Sequence, residues 1–386
     1  MPDDDLDDTA AIARALAQAR DRGTAAYLPP GTYLVSDTLA CAQRAADSGK
    51  RLVNERRKPC ALVGAGAGGR SRLRLLPHSP GFDDPGSPKP LLWLWAQAER
   101  GPNAGSDDPA KGDPTVSFNQ TVLRIDFDLT APGSSGAVAI RHAGSQGSTV
   151  EDVEVQAQGA FAGLYDTPGQ GGGVYDLRVF GGRYGVYGTQ ESRYPLLVGC
   201  RFADQSESAI HWSGNVVLVL AGFVIEKRTP GPALSLQPGG PVYGRGMALV
   251  DGTVEAAGPL AIDNSAGRAL TLDNVYVKTG GALLKAPRRP PMPSRGDWTR
   301  VGTYAFTGQG YVSLVEGETR TAGYESVDAA ASPSPDGERL RRQHLWDPGP
   351  AGFEDQEAVD VRRFGAVPDD AKDDRAAIQR ALDSHP

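Results

Sequence analysis

Apolar and polar positions in the middle of this chain repeat one short phrase, apolar-x-x-apolar-x-apolar. It occurs as Val122/Ile125/Phe127, Val150/Val153/Val155, Val174/Leu177/Val179, Leu197/Cys200/Phe202, Leu220/Phe223/Ile225, Leu249/Gly252/Val254 and Leu272/Val275/Val277. The first positions are 28, 24, 23, 23, 29 and 23 residues apart. A spacing with a floor near 23, longer only where loops are inserted, predicts a coil of three short strands. Each coil buries its inward residues on the next. Evenly spaced strands of a β-sandwich would explain the strand content but not the constant phase. The predicted class is therefore all-β, a right-handed parallel β-helix. Gly252 interrupts the phrase and marks a bend or a close contact. Ahead of the repeats, Asp7 to Arg22 reads as a capping α-helix. Ile12, Ala15 and Leu16 give it an apolar side, and Asp7 and Asp8 stand where its first amides need acceptors. "AAYLPPGTYLVS", Ala25 to Ser36, adds two strand-like pieces around a Pro-Pro-Gly turn.

The two ends of the chain resemble each other. Positions 2–17 and 368–383 share 11 of 16 residues at an offset of 366, including the Pro-Asp-Asp entry and a second Asp pair. The later copy follows "VDVRRFGAV", a strand-like lead-in that the first copy lacks. Both ends read as cut, so the chain is expected to hold one full unit and the start of another. The organisation predicted is a first β-helix over 1–285, a linker and irregular packing segment over 286–358, and the start of a second, tandem β-helix over 359–386. The boundary at 286 rests on "APRRPPMPSRGDW", which breaks the rhythm.

Composition narrows the functions. A net charge of −7 argues against a nucleic-acid surface, and no apolar run is long enough to span a membrane. With 49 Gly and 30 Pro, the chain favours many turns between short strands. Cys41 and Cys60 flank an Arg-rich insertion, and their pairing is left open; Cys200 falls on a buried rung position. No cysteine or histidine spacing resembles a zinc site, and no motif requires a cofactor. "VGAGAGG", Val63 to Gly69, matches GxGxxG in letters, but an alternating segment follows in place of a helix, so it reads as a β-helix turn.

Equivalent positions of successive coils stack about 4.8 Å apart, so the sequence can also be read vertically. Four residues before the rung anchors stand Gln146, Gln170 and Arg193; eight before stand His142, Asp166, Thr189 and Trp212, with Gln190 one further on in the third coil. This column spans about 10–15 Å and offers amides, a carboxylate and an aromatic face, as a hydroxyl-rich ligand requires. The bland reading is that such residues satisfy neighbouring backbone groups in turns. Asp166, Glu191, Asp204 and Glu207 lie nearby, but their spacing singles out no acid/base pair.

At these residues a resemblance enters. "DDTAAIARAL" followed by "YLPPGTYLVS" resembles the pectate-lyase-like β-helix proteins of the rhamnogalacturonase/epimerase type. "IRHAGSQGSTVEDVEV", "GQGGGVYDLRVFGGRYGVYGTQES" and the restart at "FGAVPDD" are more narrowly similar to glycoside hydrolase family 55, exo-β-1,3-glucanases built from two tandem β-helices. The resemblance covers roughly 2–285 and 359–386. It implies an inverting reaction on a polysaccharide, a β-glucan, in which a held water attacks opposite a general acid. It places water positioning on Gln146 and Gln170, the latter in place of the family's serine. It places substrate binding on His142 and Gln190. Asp166, Glu191, Arg193 and Trp212 join them from the vertical reading. The family's acid sits on the second β-helix, the implied partner domain, so this chain is expected to be a fragment nearly inert alone. A secreted protein is implied; no secretory signal is present, as a truncated N-terminus would explain. Two other classes compete. A polysaccharide lyase would use Arg193 as base or as a clamp on a uronate. A non-catalytic carbohydrate-binding module would bind without turnover.

Overall fold

The computed structural model describes residues 2–44, 58–66, 69–189, 194–238, 246–346, 360–367, 370 and 372–384. It divides into a unit spanning 1–345 and a unit spanning 346–386. The first unit is a parallel β-helix. Its inner columns are the predicted phrase, rung on rung. Val122, Val150, Val174, Leu197, Leu220, Leu249 and Leu272 are consecutive register partners. Phe127, Val155, Val179, Phe202, Ile225, Val254 and Val277 form the parallel column, also in register. All are buried. Gly252 leaves the room that Phe223 fills: a Cβ there would stand 2.4 Å from that ring.

Between the two columns each rung turns sharply. The residue two after each anchor has a left-handed backbone in all seven copies: Arg124, Asp152, Asp176, Gly199, Gly222, Asp251 and Asn274, with φ between 48° and 66°. Gly, Asn and Asp tolerate this conformation best. The bend splits each long strand into two faces. The third face is a separate sheet from Leu39–Gln43 through Lys89–Ala96, Ala137–Arg141, Ala162–Tyr165, Tyr184–Gly188 and Ser208–Trp212 to Ala282–Lys285, parallel throughout.

The helix Thr9–Arg22 closes the start of the stack with Ile12, Leu16 and Ala19 buried. Its entry is made by Asp7, whose Oδ1 accepts the Thr9 amide at 2.9 Å, while the Asp8 side chain makes no capping bond. The Cys41–Cys60 pair is a disulfide, and Cys200 is buried and free. "VGAGAGG" begins within the strand Ala61–Gly64, residues 67 and 68 lie outside the described residues, and the next described element is the strand Ser71–Leu75.

Beyond 286 the chain is more regular than its prolines suggest. Trp298–Phe306 runs antiparallel on Ala269–Thr279, and Glu325–Ser332 antiparallel on Trp298–Phe306. This reversal ends the parallel stack. Val301, Tyr304 and Phe306 supply the buried side of the first of these strands. A short helix, Gly337–Arg342, then lies against the bend column. Gly199 and Gly222 admit it, since a Cβ would meet Leu345 Cδ2 at 2.4 Å or the Arg341 carbonyl at 2.6 Å.

An ion ladder fixes the same face. Arg70 bonds Asp126 at 2.6 Å and Asp152 at 2.8 Å, and Arg178 lies 3.1 Å from Asp152 and 3.3 Å from Asp176. Arg341 bonds Asp176 at 2.6 Å and Glu338 at 2.9 Å, and Arg201 joins Glu338 to Glu226.

The helix Arg375–Asp383 begins as the first one does, with Asp373 Oδ1 accepting the Arg375 amide at 2.9 Å. Among the described residues, no helix is long and apolar enough to cross a membrane.

Candidate functional site

The chain turns a corner after the strands Ala137–Arg141 and Ala162–Tyr165, and the corner carries the two glutamines singled out by sequence. Gln146 and Gln170 occupy the same place in successive coils, because Thr149 pairs with Gly173 and Val150 with Val174. Both side chains are exposed. Ser145 is wholly buried between them. Its hydroxyl lies 3.0 Å from Gln146 Oε1 and 3.1 Å from Gln170 Oε1. The serine is held by its own backbone: its N–H donates to Ser117 O at 2.6 Å, and its carbonyl accepts from the Ser148 amide at 3.0 Å. Gln170 has φ 54°, a left-handed conformation that costs a non-glycine residue about 1–2 kcal/mol. It sits among glycines that have their own reason: a Cβ on Gly172 would stand 2.1 Å from Ser148 O.

The remaining members of the column separate. His142 is wholly buried and faces the core, its Nε2 3.3 Å from Gln120 O. Burial pushes its pKa down to about 4, so it is neutral at pH 7. Trp212 is also wholly buried, and its Nε1–H donates to Val216 O at 3.1 Å. A Cβ on the underlying Gly188 would stand 2.1 Å from the Trp212 ring, so this tryptophan is a core plug and no sugar platform. Asp166 is 5 % exposed and engaged: its Oδ1 accepts from the Thr189 amide at 2.9 Å and hydroxyl at 3.2 Å, and Arg141 Nε lies 3.9 Å from its Oδ2. Gln190, Glu191 and Arg193 lie outside the described residues. The structure therefore joins Gln146 to Gln170, keeps Asp166 at the margin, and moves His142 and Trp212 inside.

The misplacement has a simple origin. Adjacent residues of a strand face opposite ways, so an error of one in a vertical count exchanges the two faces. Counting eight back from the anchors lands on the inward His142 and Trp212; counting nine lands on Arg141, Tyr165 and His211, which are outward. The third coil has one extra residue, so its member is Tyr187. Trp93, Arg141, Tyr165, Tyr187 and His211 are consecutive register partners. They are half-buried and stack along the axis. The Arg141 guanidinium sits 4.5 Å from the Trp93 ring and 4.6 Å from the Tyr165 ring. Tyr165 and Tyr187 are 5.2 Å apart, and Tyr187 stacks on His211 at 4.6 Å. Burial also holds the His211 pKa below its ordinary value, despite the Glu207 charge.

Beside this stripe lies a cleft of about 340 Å³, walled by Trp93, Trp95, Arg141, Ala143, Asp166 and the 109–115 loop. That size suits a small ligand. A larger cleft of about 490 Å³, around Glu255 and Lys278, is remote in sequence from both glutamines. Its charges answer one another, with Lys278 3.3 Å from Glu255 and 3.8 Å from Asp297.

Residues 1–73 match the family model described as rhamnogalacturonase A/epimerase, pectate lyase-like. The match carries the capping helix and the first strands and ends before the glutamine corner. Among solved structures, the chain is similar to the Agl-KA catalytic domain, at 13 % identity over 74 % of this chain and 54 % of that one, with TM-score 0.37. It is similar to the ORF18 protein of Geobacillus virus E2 at 12 % identity, over 82 % and 65 %, with TM-score 0.31. PfbA, a surface adhesin of Streptococcus pneumoniae, matches at 10 % identity, over 84 % and 96 %, with TM-score 0.27. The chain thus spans about half the length of the Agl-KA domain. No curated protein matches it. The fold is a parallel β-helix, and its first 73 residues match the pectate-lyase-like model.

Proposed function

We propose that the glutamine corner is half of the active site of an inverting exo-β-1,3-glucan hydrolase, with the adjoining cleft receiving sugar. The observation that carries this reading is the convergence of Gln146 and Gln170 on one buried hydroxyl, rung above rung and exposed. Inverting hydrolysis needs a water held on one face of the sugar and an acid at the leaving oxygen on the other. Two neutral amides can hold and orient a water but cannot protonate a leaving group. The acid is supplied from a second β-helix, of which the helix Arg375–Asp383 is the opening element. Withholding a general acid lowers the rate by about 10²–10⁴-fold. A secreted address fits the Cys41–Cys60 disulfide.

The test is glucose release from a β-1,3-glucan by this chain and by a version extended through a complete second β-helix. The expected result is turnover by the extended protein and little by the chain alone. Unsaturated, ultraviolet-absorbing products would instead identify a polysaccharide lyase. Binding without products from either protein would identify a carbohydrate-binding module.

A further inference from the structure

The stripe beside the cleft contains one cation whose flat faces are covered and whose edge is not. Arg141 stands between Trp93 and Tyr165 in the register of three consecutive coils, its guanidinium 4.5 Å from one ring and 4.6 Å from the other. Rungs about 4.8 Å apart set the two rings on opposite faces of the guanidinium. Each ring attracts the charge through its π face, so the group is held in place without using an N–H. The side chain is 31 % exposed, and the Asp166 carboxylate stays 3.9 Å from its Nε, beyond hydrogen-bond distance. Among the described residues, no acceptor lies within hydrogen-bond reach of the Arg141 N–H groups. Arg70 and Arg341, by contrast, each meet a carboxylate at 2.6 Å.

With both faces covered, the planar fork can meet a ligand only along its edge, where its donors lie side by side. Arg141 is part of the wall of the 340 Å³ cleft. Such an edge suits either a carboxylate or a pair of adjacent hydroxyls, and the cleft separates the two. Among the described residues, the charged groups in its wall are Arg141, Asp113 and Asp166, two carboxylates to one cation. A further negative charge would be repelled there, whereas hydroxyl oxygens accept from the guanidinium and bring no charge. Trp93 and Trp95 add apolar wall for the C–H face of a sugar ring. We propose that Arg141 is the specificity-determining residue of the cleft, its edge donating to two adjacent hydroxyls of a neutral sugar. The inference rests on the proposed hydrolase reading and deepens it, by naming the group that recognises the sugar and the acidic sugars that the cleft refuses.

The test is a calorimetric titration of two probes into the parent chain, Arg141→Met, Arg141→Lys and Gln146→Ala, with unfolding midpoints measured for each. One probe is a linear β-1,3-gluco-oligosaccharide; the other is the same oligosaccharide with its primary alcohols oxidised to carboxylates. The parent is expected to bind the neutral probe at least tenfold more tightly than the acidic one. Arg141→Met is expected to weaken neutral binding about 10- to 100-fold, the loss that hydrogen bonds from a charged donor bring. Arg141→Lys keeps the charge and the stem but not the fork. It is expected to weaken binding at least about fivefold, and it serves if the methionine variant fails to fold. An arginine that only clamps coils would lower the midpoint and leave the affinities alone. Arginine variants that bind the neutral probe within twofold of the parent, beside a weakened Gln146→Ala, overturn the assignment and leave the hydrolase reading standing. A parent that prefers the acidic probe, with the preference lost in Arg141→Met, overturns the neutral-sugar assignment. A parent that binds neither probe overturns both the inference and the reading beneath it.

Discussion

Two polar regions of this molecule look alike in sequence and differ in how they are partnered. On the bend face, Arg70, Asp152, Arg178, Asp176, Arg341, Glu338 and Arg201 form one chain of ion pairs, each charge answered by the next. At the glutamine corner, two exposed amides converge on one buried hydroxyl, and one of them stands on a left-handed backbone. The ladder uses polarity to fasten coils to one another and to the helix Gly337–Arg342. The corner spends backbone strain to aim neutral groups at solvent. Type and spacing of residues do not separate these roles; the partners do.

Substitutions can break the comparison. The largest effect is expected inside: Trp212→Ala removes a fully buried ring and is predicted to cost about 3–5 kcal/mol in denaturant unfolding. Saccharide binding by the folded variant should be unchanged, because the ring faces the core.

His142 gives the next effect, as a function of pH. Its folded pKa of about 4 lies below the ordinary 6.5. Between those values the unfolded chain binds a proton that the folded chain refuses. Stability therefore falls as pH is lowered through that window, by up to about 1.4 kcal/mol per pH unit. Unfolding midpoints at pH 7 and pH 5 should differ, and His142→Asn should flatten the difference.

On the ladder, Arg341→Met is predicted to cost about 1–3 kcal/mol, since it leaves Asp176 with Arg178 alone, Glu338 with Arg201 alone, and the buried Gly199 carbonyl without its guanidinium donor. Burial pushes the Glu338 pKa up, but hydrogen bonding to Arg341 and the charges of Arg341 and Arg201 outweigh it, holding the carboxyl below its ordinary value. Its contribution is present above the unfolded carboxylate pKa and lost as pH falls through the folded one. The arginine variant should thus be less acid-sensitive than the parent chain in the same unfolding assay.

The smallest effect has the opposite sign. Gln170→Gly relieves the left-handed backbone and should raise stability by up to about 1 kcal/mol, partly offset by the freedom glycine gains when unfolded. It should weaken glucose release by the extended protein at the same time, and a gain in both would argue that Gln170 is only a turn residue.

The fold was legible because the core is periodic. A phrase recurring at 23 residues or more forces the inner columns into register, and Val150 over Val174 over Leu197 could be read directly. The left-handed Asp, Gly or Asn two residues after most anchors was equally present in the sequence as a second periodic signal. The site was only half legible. Neighbouring residues of a strand face opposite ways, so a count of eight instead of nine from the anchors exchanges His211 for Trp212, and one extra residue in the third coil moves its outward member to Tyr187. Ser145 could not be found by spacing at all, since its meaning lies in reaching across two coils. The strands after 286 were hidden by the prolines that precede them.

The central claim is that the corner, and not the ladder, meets saccharide. The most direct measurement is a calorimetric titration of a linear β-1,3-gluco-oligosaccharide into the parent chain, Gln146→Ala and Arg178→Met, with unfolding midpoints determined for all three. The account predicts saturable binding by the parent, binding at least tenfold weaker in Gln146→Ala at an unchanged midpoint, and parent-like binding in a destabilised Arg178→Met. Equal binding by the parent and Gln146→Ala would contradict it.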